Sequence, residues 1–468
     1  MRKWTVTLLL LGLAVTLVAG RNHWRNTVAP QAAAAAREES ITFLMTFGYL
    51  RDGEKDYSGS VTANGGTIRK IDEWRFTQGD AVNPPNAWKL RIKLANFENE
   101  PNDPNRIVNG GGIARNILTA GVFVTVDSSA ASVAVQTAQG NFSINTRELQ
   151  YGNLLRFLGG DVLVQRTPSA VRLSPKNAEE HDFPSITVTR NGVVWTAWQA
   201  YQDRGDNVYA RRSTDAAPMK VTEQKGDIYR TSVGEDAAGH VHVVWSERSD
   251  IDWNLRERVY DGSNWGAIRT ISAGVTSPNM FHKLAPAVGG GPLNLVWVGY
   301  EGGQSYLYVS KWSGSAWSQP QKMSDASVWA PDAVTDKEGN LYLAWDSYKA
   351  GNYDIFFRRV RSDGTPDEIE QVTKSPRFEA HPSIAVDAQG RTWLAWDESG
   401  SNWGKDWNHE DIYRSTTLYA NRAIRVAVKE GGTWHDGPDF SAAVPDRLRR
   451  YWQLPHLASD ANGRIWAL

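Results

Sequence analysis

A motif about 15 residues long recurs at intervals of about 50 residues through the C-terminal two thirds of the chain. One copy reads Pro382-Ser383-Ile384-Ala385-Val386-Asp387-Ala388-Gln389-Gly390-Arg391-Thr392-Trp393-Leu394-Ala395-Trp396. The last copy runs from Pro455 to Leu468 and lacks the closing Trp, which elsewhere falls at Trp198, Trp245, Trp297, Trp345 and Trp396. Each copy holds two apolar-alternating runs joined by a Gly-containing turn, such as Arg190-Asn191-Gly192 or Ala388-Gln389-Gly390. That is the signature of a tight hairpin. Two further alternating runs follow, for example 207–211 and 219–222. Four short strands per repeat predict the blade of an all-β propeller, and no helical periodicity competes. The repeated Trp is read as a packing residue that seals neighbouring blades.

Complete copies begin near Asp182, Asp227, Phe281, Trp329 and Ala380, and the sixth holds two strands, 453–468. Residues 161–174 resemble a missing outer half, because Asp161-Val162-Leu163-Val164-Gln165-Arg166 parallels Asp206-Asn207-Val208-Tyr209-Ala210-Arg211. The expectation is a six-bladed β-propeller over 161–468, its last blade shared between 161–174 and 453–468. Such sharing would leave no free edge. Seven blades are the alternative if the chain continued beyond Leu468. The terminal strand is expected to be the weak seam.

The preceding region, 41–160, departs from the repeat. Strand-like runs at 41–47, 67–71, 87–94, 122–126, 132–137 and 142–145, separated by Asn64-Gly65-Gly66 and Asn109-Gly110-Gly111-Gly112, predict a small β-sandwich-like domain. Residues 1–20 read as a signal peptide: Arg2 and Lys3 precede an apolar run that ends at Val18-Ala19-Gly20. Residues 21–40 read as a flexible spacer. A secreted or periplasmic location follows, with an uncleaved anchor as the alternative.

Composition narrows the chemistry. The net charge is −1 and no basic stripe is present, so nucleic acid is not an expected partner. With no Cys, disulfides, thiolate metal sites and Cys nucleophiles are excluded. No Gly-rich phosphate loop or Ser-His-Asp signature is visible. The acidic stretch 98–103 is read as a solvated loop in preference to a calcium loop. No cofactor and no metal are expected, and the chain is read as a monomer.

A ligand site is expected on the face that carries the loops between strands two and three. Strand starts place Asp182, Arg230, His282, Trp329 and His381 there, and Asp346, Tyr348, Asp397 and Glu398 follow the closing Trp residues. In the fifth repeat the loop after strand two expands to about 398–421 and carries Trp403, Trp407, His409 and Arg414. Trp403 and Trp407 lie off the repeat register. Trp beside Asp, Asn and Arg suits sugar or peptide recognition, and a loop pinned by its own aromatics is the blander reading. The ligand-binding set is therefore Trp403, Trp407, His409, Arg414, Trp329, His381, Arg230 and Tyr348. If the chain were an enzyme, Asp397, Glu398 and Asp346 would be its carboxylates, since glycoside hydrolysis needs two.

The turns Tyr260-Asp261-Gly262-Ser263-Asn264-Trp265 and Trp312-Ser313-Gly314-Ser315-Ala316-Trp317-Ser318 resemble those of sialidase-type propellers, short of the full serine–aspartate–glycine–tryptophan box. Residues 41–468 resemble the N-terminal half of large exported bacterial proteins that carry a metal-dependent, phosphoesterase-like C-terminal domain. The resemblance rests on Gly59-Ser60-Val61, Gly65-Gly66, Glu73-Trp74-Arg75-Phe76, Thr137-Ala138-Gln139-Gly140, Asp182-Phe183-Pro184 and Ala395-Trp396-Asp397. The histidine-rich metal motif of that domain is not in this sequence, so the resemblance implies a module type and assigns no residue a role. The function expected is an exported propeller that binds a glycan or a protein near the fifth-repeat loop. A sialidase-like glycoside hydrolase, or the front part of a larger metal-dependent hydrolase, are the alternatives.

Overall fold

The computed structural model describes residues 15–16, 39–47, 53–74, 86–88, 91–94, 120–151, 153–168, 180–287, 290–349, 351–401, 423–439, 454–460 and 462–468. Among these the chain is β throughout, apart from the single 3-10 turns Thr146–Glu148 and Leu158–Gly160. Among the described residues no helix is long and apolar enough to cross a membrane.

From residue 180 onward the strands group into five consecutive four-stranded antiparallel sheets, each a simple meander, in a propeller-type arrangement. The first is Glu180–Val188, Val194–Gln202, Gly205–Arg212 and Met219–Lys220. The other four begin at Asp227–Glu235, Thr276–Pro286, Asp332–Thr335 and Glu379–Val386. A hairpin, Leu457–Ser459 with Ile465–Ala467, follows the fifth.

The turn between strands one and two explains why the motif repeats. Asp387 Oδ1 accepts from the backbone N–H groups of Gln389 and Arg391, at 3.0 and 2.9 Å. Its second oxygen takes the indole N–H of Trp393 at 2.8 Å. Asp460 repeats this with Asn462, Arg464 and Trp466 at 2.9, 3.0 and 3.0 Å. Asp236 holds Ala238 and His240 in the same way, at 2.9 Å each. The carboxylate thus mimics a backbone turn. The glycine at the turn takes positive φ, 89° at Gly239 and 76° at Gly390, where a side chain would be strained.

The five closing Trp residues are all buried. Trp198, Trp297 and Trp345 stack on the aromatic ring opposite them on strand three, Tyr209, Tyr308 and Phe356, at 6.1, 5.7 and 6.1 Å. Apolar clusters then cross from each sheet to the next. Trp195, Ala197 and Val208 of the first sheet pack with Ile228, Val233 and Trp245 of the second.

Along the inner strands one side chain fastens each seam. Ser185 Oγ accepts from Val233 N at 3.0 Å, and Ser232 Oγ accepts from Leu284 N at 2.7 Å. Asp332 Oδ2 accepts from Ile384 N at 2.9 Å, and Ser383 Oγ accepts from Leu457 N at 3.0 Å. The terminal hairpin is therefore held as the preceding sheets are. Between the third and fourth sheets Lys283 pairs with Asp332.

A second latch joins sheets two and three on their outer side. His242 is fully buried, with Nδ1 2.6 Å from Glu257 and Nε2 3.3 Å from Asp236. Trp312 and Trp317 donate to the same two carboxylates, both at 3.0 Å. Burial works against a charged imidazole here, but the hydrogen bonds to Asp236 and Glu257 outweigh it and raise the pKa.

Residues 161–174 do not complete the last sheet as expected. Val162–Thr167 pairs instead with Thr42–Phe47, in a five-stranded sheet of the preceding region. That sheet runs Leu155–Phe157, Val162–Thr167, Ser40–Phe47, Ala120–Asp127, Ile68–Trp74. The reason is burial on both faces: Val162, Leu163, Val164 and Gln165 are all enclosed, as in an inner strand and not an outer one. Residues 169–174 of this expectation lie outside the described residues. A second sheet, Gly140–Asn145, Ser132–Thr137, Gly59–Asn64, Ala87–Trp88, shares the core of Phe43, Phe47, Trp88, Val124 and Val135. This region touches the terminal hairpin, where Tyr151 meets Trp466 edge-on at 5.3 Å.

Candidate functional site

The site is built from a bulge that recurs near the start of the first strand in four of the five sheets. Pairing with strand two slips between Asp182 and Ser185, Tyr229 and Thr231, Met280 and Lys283, and Ala380 and Ser383. At the slip one residue has positive φ: Phe183 (47°), Arg230 (58°), Phe281 (52°) and His381 (54°), with Leu454 (56°) before the terminal hairpin. A left-handed conformation is costly for such side chains. It is tolerated because the surrounding strands over-determine it. Ala330 takes this place in the fourth sheet without the positive φ.

Bulged backbone needs hydrogen-bond partners, and two buried aspartates supply them. Asp346 accepts from Ala330 N at 2.7 Å and from His381 N at 2.9 Å, so it spans the fourth and fifth sheets. Asp397 accepts from Leu454 N at 3.5 Å and contacts His381 Nδ1 at 2.9 Å. Each aspartate is only 1% exposed. Burial raises the pKa of Asp346, and Asp397 adds to this, while His381 and the two backbone N–H groups oppose it. These carboxylates are engaged with the fold and present little surface to a ligand.

Above them lies a run of rings. Tyr348 packs on Tyr353 at 5.2 Å, Tyr353 on Phe378 at 5.6 Å, and Phe378 on His381 at 6.2 Å. Trp329 and Tyr348 remain 43% and 45% exposed, high for such large rings. The bulges of the first three sheets carry a second group, in which Phe183 packs on Tyr229 at 5.1 Å and Tyr229 on Phe281 at 5.6 Å. The guanidinium of Arg230 lies among these three rings.

The structure thus gathers Trp329, Tyr348, His381, Asp346 and Asp397 on one side and places Arg230 with the second aromatic group. Glu398 is engaged by two arginines: its Oε1 accepts from Arg425 Nη2 at 2.9 Å and from Arg377 Nη1 at 3.3 Å. Among the described residues no three arginines converge on one pocket with a tyrosine. Trp403, Trp407, His409 and Arg414 lie outside the described residues, as does the acidic stretch 98–103. Among the described residues no cluster of His, Asp or Glu is arranged to hold a metal ion.

Sequence reasoning placed the repeating position one residue off at Asp182, His282 and Trp329. His282 is buried, and its pKa is pushed down to about 3, first by burial and then by nearby Arg230. Phe183 and Phe281 were missed, although Phe183-Pro184, Ala330-Pro331, His381-Pro382 and Leu454-Pro455 carry a signal. A residue before proline avoids the helical region, which suits a bulge. Glu379, paired opposite Glu398, was also missed. Burial, with Glu398 and Asp354 beside it, pushes its carboxyl up to about 7.

No protein-family model matches the chain, and no curated protein matches its sequence. Solved structures with a similar trace include the NanB sialidase from Streptococcus pneumoniae, 10% identical over 92% of this chain and 91% of that one, with a TM-score of 0.41. A putative TolB from Agrobacterium tumefaciens is 15% identical over 56% of this chain and 81% of that one, at a TM-score of 0.35. An α-L-arabinanase from Penicillium chrysogenum, complexed with arabinobiose, is 10% identical over 62% and 93%, at 0.38.

Proposed function

We propose that this chain is an exported glycan-binding propeller of six sheets, preceded by a sandwich-type domain, with its ligand seated at the mouth formed by the bulges. Six is favoured because the terminal hairpin takes the same inner fastening, from Leu457 N to Ser383 Oγ. His456 also comes within electrostatic range of Arg230, Lys283 and Asp332, which belong to the second, third and fourth sheets. The observation that carries the binding function is the exposure of Trp329 and Tyr348, close in sequence to the Ala330 and Asp346 that join His381 in one hydrogen-bond set. Flat rings next to hydrogen-bonding side chains fit the apolar faces and hydroxyl edges of sugars. From their sequence, Trp403, Trp407, His409 and Arg414 are proposed to contribute to the same binding.

A glycan array read beside a panel of fluorogenic glycosides tests the reading. Binding without turnover is expected, and Trp329→Ala with Tyr348→Ala should weaken it by about tenfold or more, or about 1.4 kcal/mol. Binding that ignores both changes would overturn the placement. The competing reading is a glycoside hydrolase, favoured by the two carboxylates, Asp346 and Asp397, that meet at His381. Turnover that Asp397→Asn abolishes in a folded protein would establish it. The binding reading is preferred because both aspartates already serve backbone N–H groups across the seams.

A further inference from the structure

The second sheet places an unneutralised cation at the mouth. The Arg230 guanidinium carbon lies 5.7 Å from the centre of the Phe183 ring, 5.3 Å from Tyr229 and 5.1 Å from Phe281. Ring faces attract a guanidinium but offer no lone pair to its in-plane N–H groups. Its Nε is buried without a hydrogen-bond partner. Among the described residues no carboxylate lies within ion-pair range of Arg230, and no acceptor takes any of its N–H groups. Neighbouring cations are treated otherwise. Lys283 is paired with Asp332, and Arg377 and Arg425 share Glu398.

The charge of Arg230 is nevertheless felt nearby, at His282 and at His456. The two groups thus differ in charge: Arg230 sits among the rings of the first three sheets, while Asp346 and Asp397 serve the seams around the fifth sheet. A guanidinium that has lost water on its faces and has no anion of its own gains most from a planar carboxylate, which matches its forked donors. Three rings fix its plane before any ligand arrives, which lowers the ordering cost of binding.

We infer that Arg230 is the anchoring subsite for a carboxylate on the ligand, so that the glycan bound at the mouth is acidic, a uronate-bearing chain. This rests on the glycan-binding reading above. The carboxylate would meet the terminal nitrogens of Arg230, while a neighbouring sugar ring reaches the Trp329 and Tyr348 shelf.

The test compares a hexuronate tetrasaccharide, its methyl ester and a sulfated neutral tetrasaccharide, by calorimetry on the full chain. The wild type should bind the acid about tenfold or more tighter than the ester, with a preference that shrinks as salt rises. Arg230→Gln should erase that preference, so that acid and ester bind alike. Arg230→Lys, which keeps the charge and loses the fork, should keep only part of it. Sulfate binding as tight as carboxylate binding would replace the planar-carboxylate assignment with a general anion site. Equal binding of acid and ester by the wild type would overturn the inference and leave the glycan reading standing. Binding of none of the three sugars would overturn both. Unchanged thermal unfolding of Arg230→Gln confirms that a lost preference is not lost folding.

Discussion

His242 and Arg230 are both basic side chains set among aromatic rings on the second sheet, and the protein treats them in opposite ways. His242 is sealed from water and held between Asp236 and Glu257, which also anchor Trp312 and Trp317. Every polar atom there has a partner inside the fold. Arg230 has three rings and no counter-charge among the described residues. A buried charge that is fully paired belongs to the architecture, because losing either partner strands the other. A charge left unpaired at an open mouth is an unfinished interaction, and it marks where something else can bind.

The sharpest way to break this contrast is to remove each basic side chain. His242→Ala should cost about 3–5 kcal/mol in chemical denaturation, because two buried carboxylates lose their shared partner. Arg230→Ala should change stability by about 1 kcal/mol or less, as nothing paired is broken. Similar losses at both sites would erase the distinction.

Titration separates the two as well. The pKa of His242 is raised in the folded protein, so its stabilising contribution is full below the unfolded value near 6.5 and fades as pH rises through the folded value. Melting temperatures of wild type and His242→Gln should therefore converge toward alkaline pH, while Arg230→Gln tracks the wild type throughout. Glu379 provides a third case, an acid with like-charged neighbours. Its carboxyl is at about 7 when folded against an ordinary 4.5, so the fold binds the extra proton and loses stability as pH rises between those values. Glu379→Gln should stabilise the protein by roughly 1–3 kcal/mol at pH 8 and change little at pH 4, as read by urea unfolding. The smallest effect on stability is expected at the exposed shelf. Trp329→Ala should shift unfolding by about 0.5 kcal/mol or less while reducing ligand binding.

The sheets were legible in the sequence because period-two alternation and Gly turns are local signals. The turn Asp387-Ala388-Gln389-Gly390-Arg391 encodes its own geometry through one carboxylate. The bulge was not legible, since a single left-handed residue shifts the register without altering the composition. That shift hid Phe183 and Phe281 behind Asp182 and His282. The environment of Arg230 was also hidden, because two of its three rings, Phe183 and Phe281, come from the neighbouring sheets and join it only once those sheets stand side by side. Val162-Leu163-Val164 misled for a related reason: a short apolar run fits an outer strand of one sheet and an inner strand of another equally well. Only the burial of both faces distinguishes them.

The inner seams have a consequence for how such a molecule could change over time. Ser185, Ser232, Asp332 and Ser383 each offer one oxygen to the next sheet's backbone, and backbone donors are the same whatever the residue. At these four seams the join is generic, whereas the third and fourth sheets are joined by the side-chain pair Lys283–Asp332. A gene that duplicated or lost the coding segment of one of these sheets would bring a matching acceptor and donor to the new boundary, and the number of sheets could change. The bulge would travel with the segment, so each such event would add or remove one side chain at the mouth. Specificity could then be revised a whole tile at a time, with the joinery between tiles left untouched.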